Sequence, residues 1–219
     1  MSNQMIEMLG NGMGESLYMT VVSTVFAYLL GIPLGVVLYI TDKKGIGSNR
    51  VVNFIVGIVV NIIRSVPFLI LLVTVIPLTR LIVGTTIGAT PTIVPLVIAA
   101  APFVARMVES SLKEVDPGVI EAAKAMGSSP WQIIYKVLLP EAKPSLLQGA
   151  TITLATVLGY SAMAGFVGGG GLGTIAVNYG YYRYQTDVMI VAVALLVVVV
   201  QVFQEIGTRL VSKIDKRKN

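Results

Sequence analysis

The sequence predicts an all-α membrane protein with five transmembrane helices. The chain has 219 residues, of which 55% are hydrophobic and only 12% are charged. A soluble domain needs more charge than this to hydrate its surface. The uncharged residues also form long uninterrupted runs, at 16–41, 81–105 and 188–204. Because a helix needs about 20 apolar residues to cross about 30 Å of hydrocarbon, these runs exclude a soluble globular protein.

The five predicted spans follow from the positions of these apolar runs. The second is expected to kink at Pro67, which lacks a backbone N–H. The third is the least regular, because Pro95 and Pro102 interrupt it, although such breakers are tolerated where neighbouring helices satisfy the freed carbonyls. All belong to a single transmembrane domain, residues 1–219. The spans are about 16–40, 51–78, 89–110, 145–168 and 187–209.

The cationic residues predict the orientation of these spans. Most of the lysines and arginines fall on one side, in the loops after the first and third helices and at the C-terminus. By the positive-inside rule the C-terminus is cytoplasmic and the N-terminus lies outside. Topology thus explains the basic excess, and no nucleic-acid partner is predicted. The cations on the cytoplasmic side are Lys43, Lys44, Arg50, Arg106, Lys113, Lys124, Lys136, Lys143, Arg209, Lys213, Lys216, Arg217 and Lys218.

The sequence gives no sign of catalytic chemistry in this chain. It contains no cysteine and no histidine, which removes thiolates and the commonest metal ligand and general base. The phosphate-loop pattern G-x-x-x-x-G-K-[ST] is also absent. The glycine-rich run GFVGGGGLG at 165–173 has neither the lysine nor the hydroxyl that such a loop requires. It is either a flexible connector or a close-packed re-entrant segment, in which absent Cβ atoms let backbones approach.

The longest predicted cytoplasmic segment, residues 116–140, has the signals of a helix, a turn and a second helix. Asp116 is a good N-cap, and Gly127 suits the left-handed position that ends a helix. Ser129 and Gln132 have the spacing of a capping box that starts the second helix. From these residues alone, the segment is either a docking element or an amphipathic helix on the inner leaflet.

This segment resembles the EAA loop of ABC-importer permeases, EAA-x3-G-x9-I-x-LP. The sequence EAAKAMGSSPWQIIYKVLLP at 121–140 departs from that pattern only in having Val137 for Ile. In that family the loop forms the coupling helix, which sits in a groove of a cytoplasmic ATPase subunit. The resemblance implies a type I ABC-importer permease fold, with ATP and Mg bound by the partner and no cofactor in this chain. The implied coupling residues are Glu121, Ala122, Ala123, Met126 and Gly127.

Four residues are candidates for a solute pathway. Arg64 is the one charge deep in a predicted span, where it either attracts a substrate carboxylate or bonds to helix-end carbonyls. Tyr160, Ser161 and Met163 lie towards the outer end of the fourth helix, where a solute would pass. No acidic residue lies near a helix centre to relay protons, so a stand-alone secondary transporter is the less favoured alternative.

Over nearly its whole length the chain resembles the permease subunits of bacterial methionine ABC importers. The resemblance is carried by NIIRSVPFLILLVTVIPLTR, APFVARMVESSLKEV, VLLPEAKPSLLQGATITLATVLGYSAMAGFVGGGGLG and NYGYYRYQTDVM. It implies a multi-pass homodimer in the inner membrane, in contact with lipid, two ATP-binding subunits and an extracytoplasmic methionine-binding protein or lipoprotein. Such a permease translocates methionine, L- and D-, by alternating access. The runner-up substrate is another amino acid.

Overall fold

The computed structural model describes residues 3–43 and 45–214, and the regular elements in these ranges are all helices joined by short turns. Lys44, Lys216, Arg217 and Lys218 of the predicted cytoplasmic set lie outside these ranges. Three irregular helical turns, at Ile134–Leu138, Ala164–Val167 and Ala176–Tyr181, join neighbouring elements. The α-helices are α1 (Asn3–Thr41), α2 (Arg50–Ser65), α3 (Phe68–Thr74), α4 (Ile76–Val83), α5 (Ala89–Lys113), α6 (Pro117–Ala125), α7 (Pro130–Ile133), α8 (Leu139–Glu141), α9 (Lys143–Met163), α10 (Gly171–Ile175) and α11 (Thr186–Ile214).

Four of the described helical stretches are long and apolar enough to cross a membrane, and α2 with α3 forms a fifth if the bent pair is one span. This pair occupies the predicted second span and turns through 103°. The break has a local cause. Val66 is held extended, with φ −79° and ψ 125°, because the ring of Pro67 disfavours a helical conformation in the residue before it.

The centre of the molecule is the packing of α1 against α5. Gly31 and Gly35 of α1 face Val104 and Val108 of α5, and a Cβ at either glycine would lie 2.6 Å from the Cβ of the facing valine. The two backbones approach closely because these glycines have no side chain, as is common between membrane helices. Both valines are fully buried in the resulting core, which also includes parts of α6 to α9.

The first helix begins at Asn3, well before the predicted start of the first span. Its N-terminal turns pack on the other end of the chain, where Leu9 joins Leu172, Ile175, Val188 and Ala192 in a second buried cluster. The sequence before residue 16 is helical because it has this apolar surface to cover.

The glycine-rich run is a close-packed segment and not a loose connector. A Cβ at Gly165 would collide with the backbone of Gly173. The N–H of Gly171 donates to Glu15 Oε2 at 2.6 Å, and the N–H of Leu172 donates to Ser16 Oγ at 2.9 Å. The run therefore returns to α1 and is fixed there by side chains that satisfy the first N–H groups of α10.

Candidate functional site

The predicted coupling segment folds as a short helix, a left-handed turn and a second helix. Asp116 Oδ1 accepts from the N–H of Gly118 at 2.7 Å and starts α6. Gly127 has a φ of +78°, and the N–H of Ser128 donates to Ala123 O at 3.1 Å to end that helix. The predicted capping box between Ser129 and Gln132 is present and starts α7.

The coupling candidates divide into an outward face and an inward face. Glu121 and Ala122 are exposed, and Met126 is 79% exposed. Ala123 is buried and belongs to the same core cluster as Ile133, so it fixes α6 on the body of the protein. The outward face, which we define as Glu121 and Ala122 of α6 and the C-cap residue Met126, is therefore accessible to a partner.

Glu121 also lines a cavity of about 620 Å³ between α6 and the ends of α1 and α5. The cavity is charged: Lys43, Lys124 and the Asp42–Lys113 ion pair, with a 2.9 Å separation of Oδ2 and Nζ, share its walls. The hydrogen bond from Lys113 holds the pKa of the Asp42 carboxyl below its ordinary value. Asp42 consequently stays ionised, and the pair persists, at neutral and mildly acidic pH.

The structure brings Arg64 and Tyr160 together at a small cavity of about 140 Å³. Its apolar walls include Phe68, Phe103 and Ala99. The rings of Phe68 and Tyr160 are stacked, with centroids 4.5 Å apart and planes inclined by 6°. We call this space the Arg64 cavity. The guanidinium of Arg64 is exposed, and no hydrogen bond or ion pair joins it to the described residues.

The other two pathway candidates do not line the Arg64 cavity. Ser161 is buried, and its hydroxyl donates to Leu158 O at 2.8 Å within the same helix. Met163 is 46% exposed on the outside of the protomer. Conversely, sequence reasoning missed Phe68 and Phe103. The four-residue spacing of Ala99 and Phe103 puts them on one face of α5, but a spacing does not reveal which helix that face meets.

No metal site is evident in the part of the chain that the structure describes. No three acidic side chains there lie close enough to hold an ion, and the sequence has no histidine or cysteine to add.

Comparisons with known proteins agree with this architecture. The family described as "Binding-protein-dependent transport system inner membrane component" matches residues 31–216. The "Probable D-methionine transport system permease protein MetI" of Vibrio cholerae serotype O1 is 55% identical over 203 residues, which are 93% of this chain and 90% of that protein. The "D-methionine transport system permease protein MetI" of Escherichia coli K12 is 54% identical over 165 residues, 75% of this chain and 76% of its own.

Solved structures show the same fold. A chain of the MetNI methionine ABC transporter in an inward-facing conformation superposes with a TM-score of 0.97 and 51% identity, covering 99% of this chain and 100% of its own. A chain of an amino acid ABC transporter crystallised with histidines has a TM-score of 0.79 over 95% of this chain and 94% of its own, but only 20% identity, and supports the fold alone. The protein has the type I ABC permease fold, and it belongs to the family of binding-protein-dependent transport system inner membrane components.

Proposed function

We propose that this chain is the membrane-spanning permease subunit of an ATP-driven ABC importer that carries methionine across the bacterial inner membrane. One observation carries the proposal: 51% identity and a TM-score of 0.97 to a chain of the MetNI methionine ABC transporter, over 99% of this chain. The relatives named as D-methionine permeases support the same substrate and its D-form.

The importer that we propose is a homodimer of this permease with two ATP-binding subunits and an extracytoplasmic methionine-binding protein. The apolar surface of α2 supports a second copy. Of the residues of α2 only Val60 is buried within the protomer, while Phe54, Ile55 and Ile62 are each more than half exposed. Such a surface needs lipid or another protein to cover it.

The orientation that we propose places the N-terminus outside and the C-terminus in the cytoplasm. The segment 116–140 is then cytoplasmic, and the outward face of α6 docks on the ATPase subunit, which holds ATP and Mg. Glu121 supplies a charge, Ala122 allows close approach, and Met126 adapts its flexible side chain to a partner groove. Ala123 and Gly127 shape the element.

We propose that the Arg64 cavity is a substrate-binding site on the transport pathway. A free guanidinium in a membrane-spanning segment is costly and marks a wet path or a binding site. It can hold the carboxylate of an amino acid through paired hydrogen bonds. Phe68, Phe103 and Tyr160 offer the aromatic surface against which a thioether packs favourably. The lack of a bond from Arg64 to any described carbonyl argues against a purely structural role.

Transport then follows by alternating access. ATP closes the two ATPase subunits and moves the docked α6 helices, and the membrane helices of the two copies open towards the binding protein. Hydrolysis returns them to the inward-facing state. ATP shifts this equilibrium only through its different affinity for the two states, so its effect has to enter through the docked loop.

Reconstitution tests the proposal. The permease, its ATPase subunit and its binding protein are placed in vesicles, and uptake of labelled L-methionine is measured with ATP on the ATPase side. We expect ATP-dependent uptake that unlabelled D-methionine competes and that polar amino acids do not. Accumulation by the permease alone would overturn the proposal, and competition by polar amino acids would overturn the substrate.

A further inference from the structure

Four charged side chains, three on the second half of α5 and one just after α1, form a continuous row. Arg106 Nη1 lies 2.6 Å from Glu109 Oε2, and Glu109 Oε1 lies 2.7 Å from Lys113 Nζ. The same Nζ lies 2.9 Å from Asp42 Oδ2, just after α1. We call these four residues, Arg106, Glu109, Lys113 and Asp42, the charge row. They join α5 to the end of α1 in one network.

Arg106, at one end of the charge row, contacts α2. Arg106 Nη2 donates to Asn61 Oδ1 at 2.9 Å and to the carbonyl of Gly57 at 3.3 Å. Residues 57, 61 and 64 share one face of α2, because side chains at i, i+4 and i+7 lie above one another. Residues 99, 103 and 106 share a face of α5 for the same reason. The faces of α2 and α5 that line the Arg64 cavity therefore also carry Arg106 and its two acceptors.

Lys113 and Asp42, at the other end of the charge row, lie next to the coupling segment. Lys113 is the last residue of α5, and α6 begins at Pro117 after a short link. Lys113 and Asp42 line the same 620 Å³ cavity as Glu121. A displacement of α6 therefore reaches α5 through the chain, and it reaches α1 and α2 through the side chains of the row.

The middle of the row is too buried to be an ordinary surface ion pair. The side chain of Glu109 is only 9% exposed. A buried carboxylate is stable only with paired, hydrogen-bonded cations, and removing a partner leaves an uncompensated charge. Glu109 therefore holds both Arg106 and Lys113 in place. By contrast, exposed ion pairs contribute little and do not fix geometry.

We propose that Arg106 and Glu109 are positioning residues for transport, which make α2 move together with α5 and α6. Through them, movement of the docked loop changes the spacing of α2 and α5 at the Arg64 cavity. This inference rests on the proposed importer function. It requires that breaking the row lowers solute uptake much more than ATP hydrolysis. The reason is that the row lies between the outward face of α6 and the Arg64 cavity and includes no residue of either.

The test compares methionine uptake with ATP hydrolysis in the reconstituted complex. Glu109→Gln removes the central charge at nearly constant volume, and Arg106→Lys keeps a charge but loses the forked guanidinium. We expect Glu109→Gln to hydrolyse ATP within about twofold of the unaltered complex while uptake falls about tenfold, the size of a typical coupling effect. The uptake by Arg106→Lys should lie between that of Glu109→Gln and that of the unaltered complex.

A matched control and a second variant keep the test decisive. Glu205→Gln breaks an ion pair of the same 2.6 Å length between Glu205 and Arg209 on α11, whose side chains are 62% and 75% exposed. Glu205→Gln should change neither methionine uptake nor ATP hydrolysis. If Glu109→Gln fails to assemble, Asn61→Leu removes the side-chain acceptor of Arg106 on α2, leaving only the longer bond to the Gly57 carbonyl, and keeps the buried pair intact. Asn61 is exposed, so this chain should assemble and show the same separation of rates.

A distance measurement reports the joint movement directly. The sequence has no cysteine, so within this chain spin labels attach only at introduced ones, here Val51→Cys on α2 and Val119→Cys on α6, both exposed. In dimers with one labelled copy, ATP should leave the distance between the labels unchanged, and in Glu109→Gln or Asn61→Leu it should change.

Three outcomes would overturn the inference: equal loss of uptake and hydrolysis, no loss of either, or an unchanged label distance in both variants. Failure of the unaltered complex to carry methionine would instead overturn the proposed function.

Discussion

Arg64 is a cation on α2 whose guanidinium has no hydrogen-bonding partner among the described residues and opens into a cavity with aromatic walls. We expect Arg64→Met to lower labelled methionine uptake by about tenfold, because a charge-assisted hydrogen bond to the substrate carboxylate is worth about 1.5–3 kcal/mol. Arg64→Lys should retain part of the activity, since lysine keeps the charge without the two-pronged geometry. The measurement is uptake at several methionine concentrations, where the apparent KM should rise.

Arg80→Met is the matched control for that substitution. Arg80 is also exposed, and it lies in α4, away from the Arg64 cavity. Its replacement should leave the KM unchanged. An Arg64→Met complex with the KM of the unaltered protein would show that the guanidinium does not bind the carboxylate.

Single residues differ in how far their sequence context determines their environment. The sequence identified Arg64 because a lone charge within an apolar run is conspicuous by itself. It did not separate Ala122, which is exposed, from Ala123, which is buried, since both are small and adjacent. Phe103 went unnoticed because its role depends on α2, α3 and α9, which contribute other walls of the cavity.

At the level of elements, the signals that the sequence carries locally were the reliable ones. The start of α6 at Asp116, its end at Gly127 and the capping box of α7 each depend on residues close by in the chain. The glycine run at 165–173 could be either of two structures, because its hydrogen-bonding partners, Glu15 and Ser16, lie 156 residues away. No local pattern contains that information.

Gly127 allows the coupling element to be tested through its backbone alone. Its φ is +78°, and a Cβ there would meet no atom within 4 Å, so a substitution acts through conformation and not through a clash. We expect Gly127→Val to insert and assemble but to lose uptake by about tenfold, because a β-branched residue strains the left-handed turn by about 1–3 kcal/mol and tilts α6 against α7.

Gly127→Asn is the control for this turn, because asparagine tolerates the left-handed conformation and closes helices in the same way. It should keep most of the uptake. Methionine uptake and binding of the ATPase subunit are measured on both variants in parallel. Equal uptake by the valine and asparagine variants would show that the conformation of this turn does not affect transport.

For the whole molecule, the composition and the uncharged runs predicted a polytopic helical protein, and the structure has four or five apolar spans. What the sequence could not give is the depth of each span. The first helix has 39 residues, a length of about 58 Å at 1.5 Å per residue, and exceeds the hydrocarbon thickness of about 30 Å. Its extra turns are stabilised by packing against α10 and α11, and these contacts join residues that are far apart in the sequence.

The orientation of the whole molecule decides whether α6 can meet a cytoplasmic ATPase, and it can be measured at two introduced cysteines. Ser48→Cys lies in the α1–α2 loop and Tyr182→Cys lies before α11, and both positions are exposed. Because the sequence has no cysteine, a membrane-impermeant thiol reagent labels this chain only at the introduced sites. Most of the lysines and arginines lie on the side of Ser48, so the positive-inside rule predicts that intact cells label Tyr182→Cys and that Ser48→Cys labels only after permeabilisation. The reverse pattern would put Glu121 and Met126 outside the cell, beyond the reach of ATP-binding subunits, and the docking of α6 would then have to be abandoned along with the orientation.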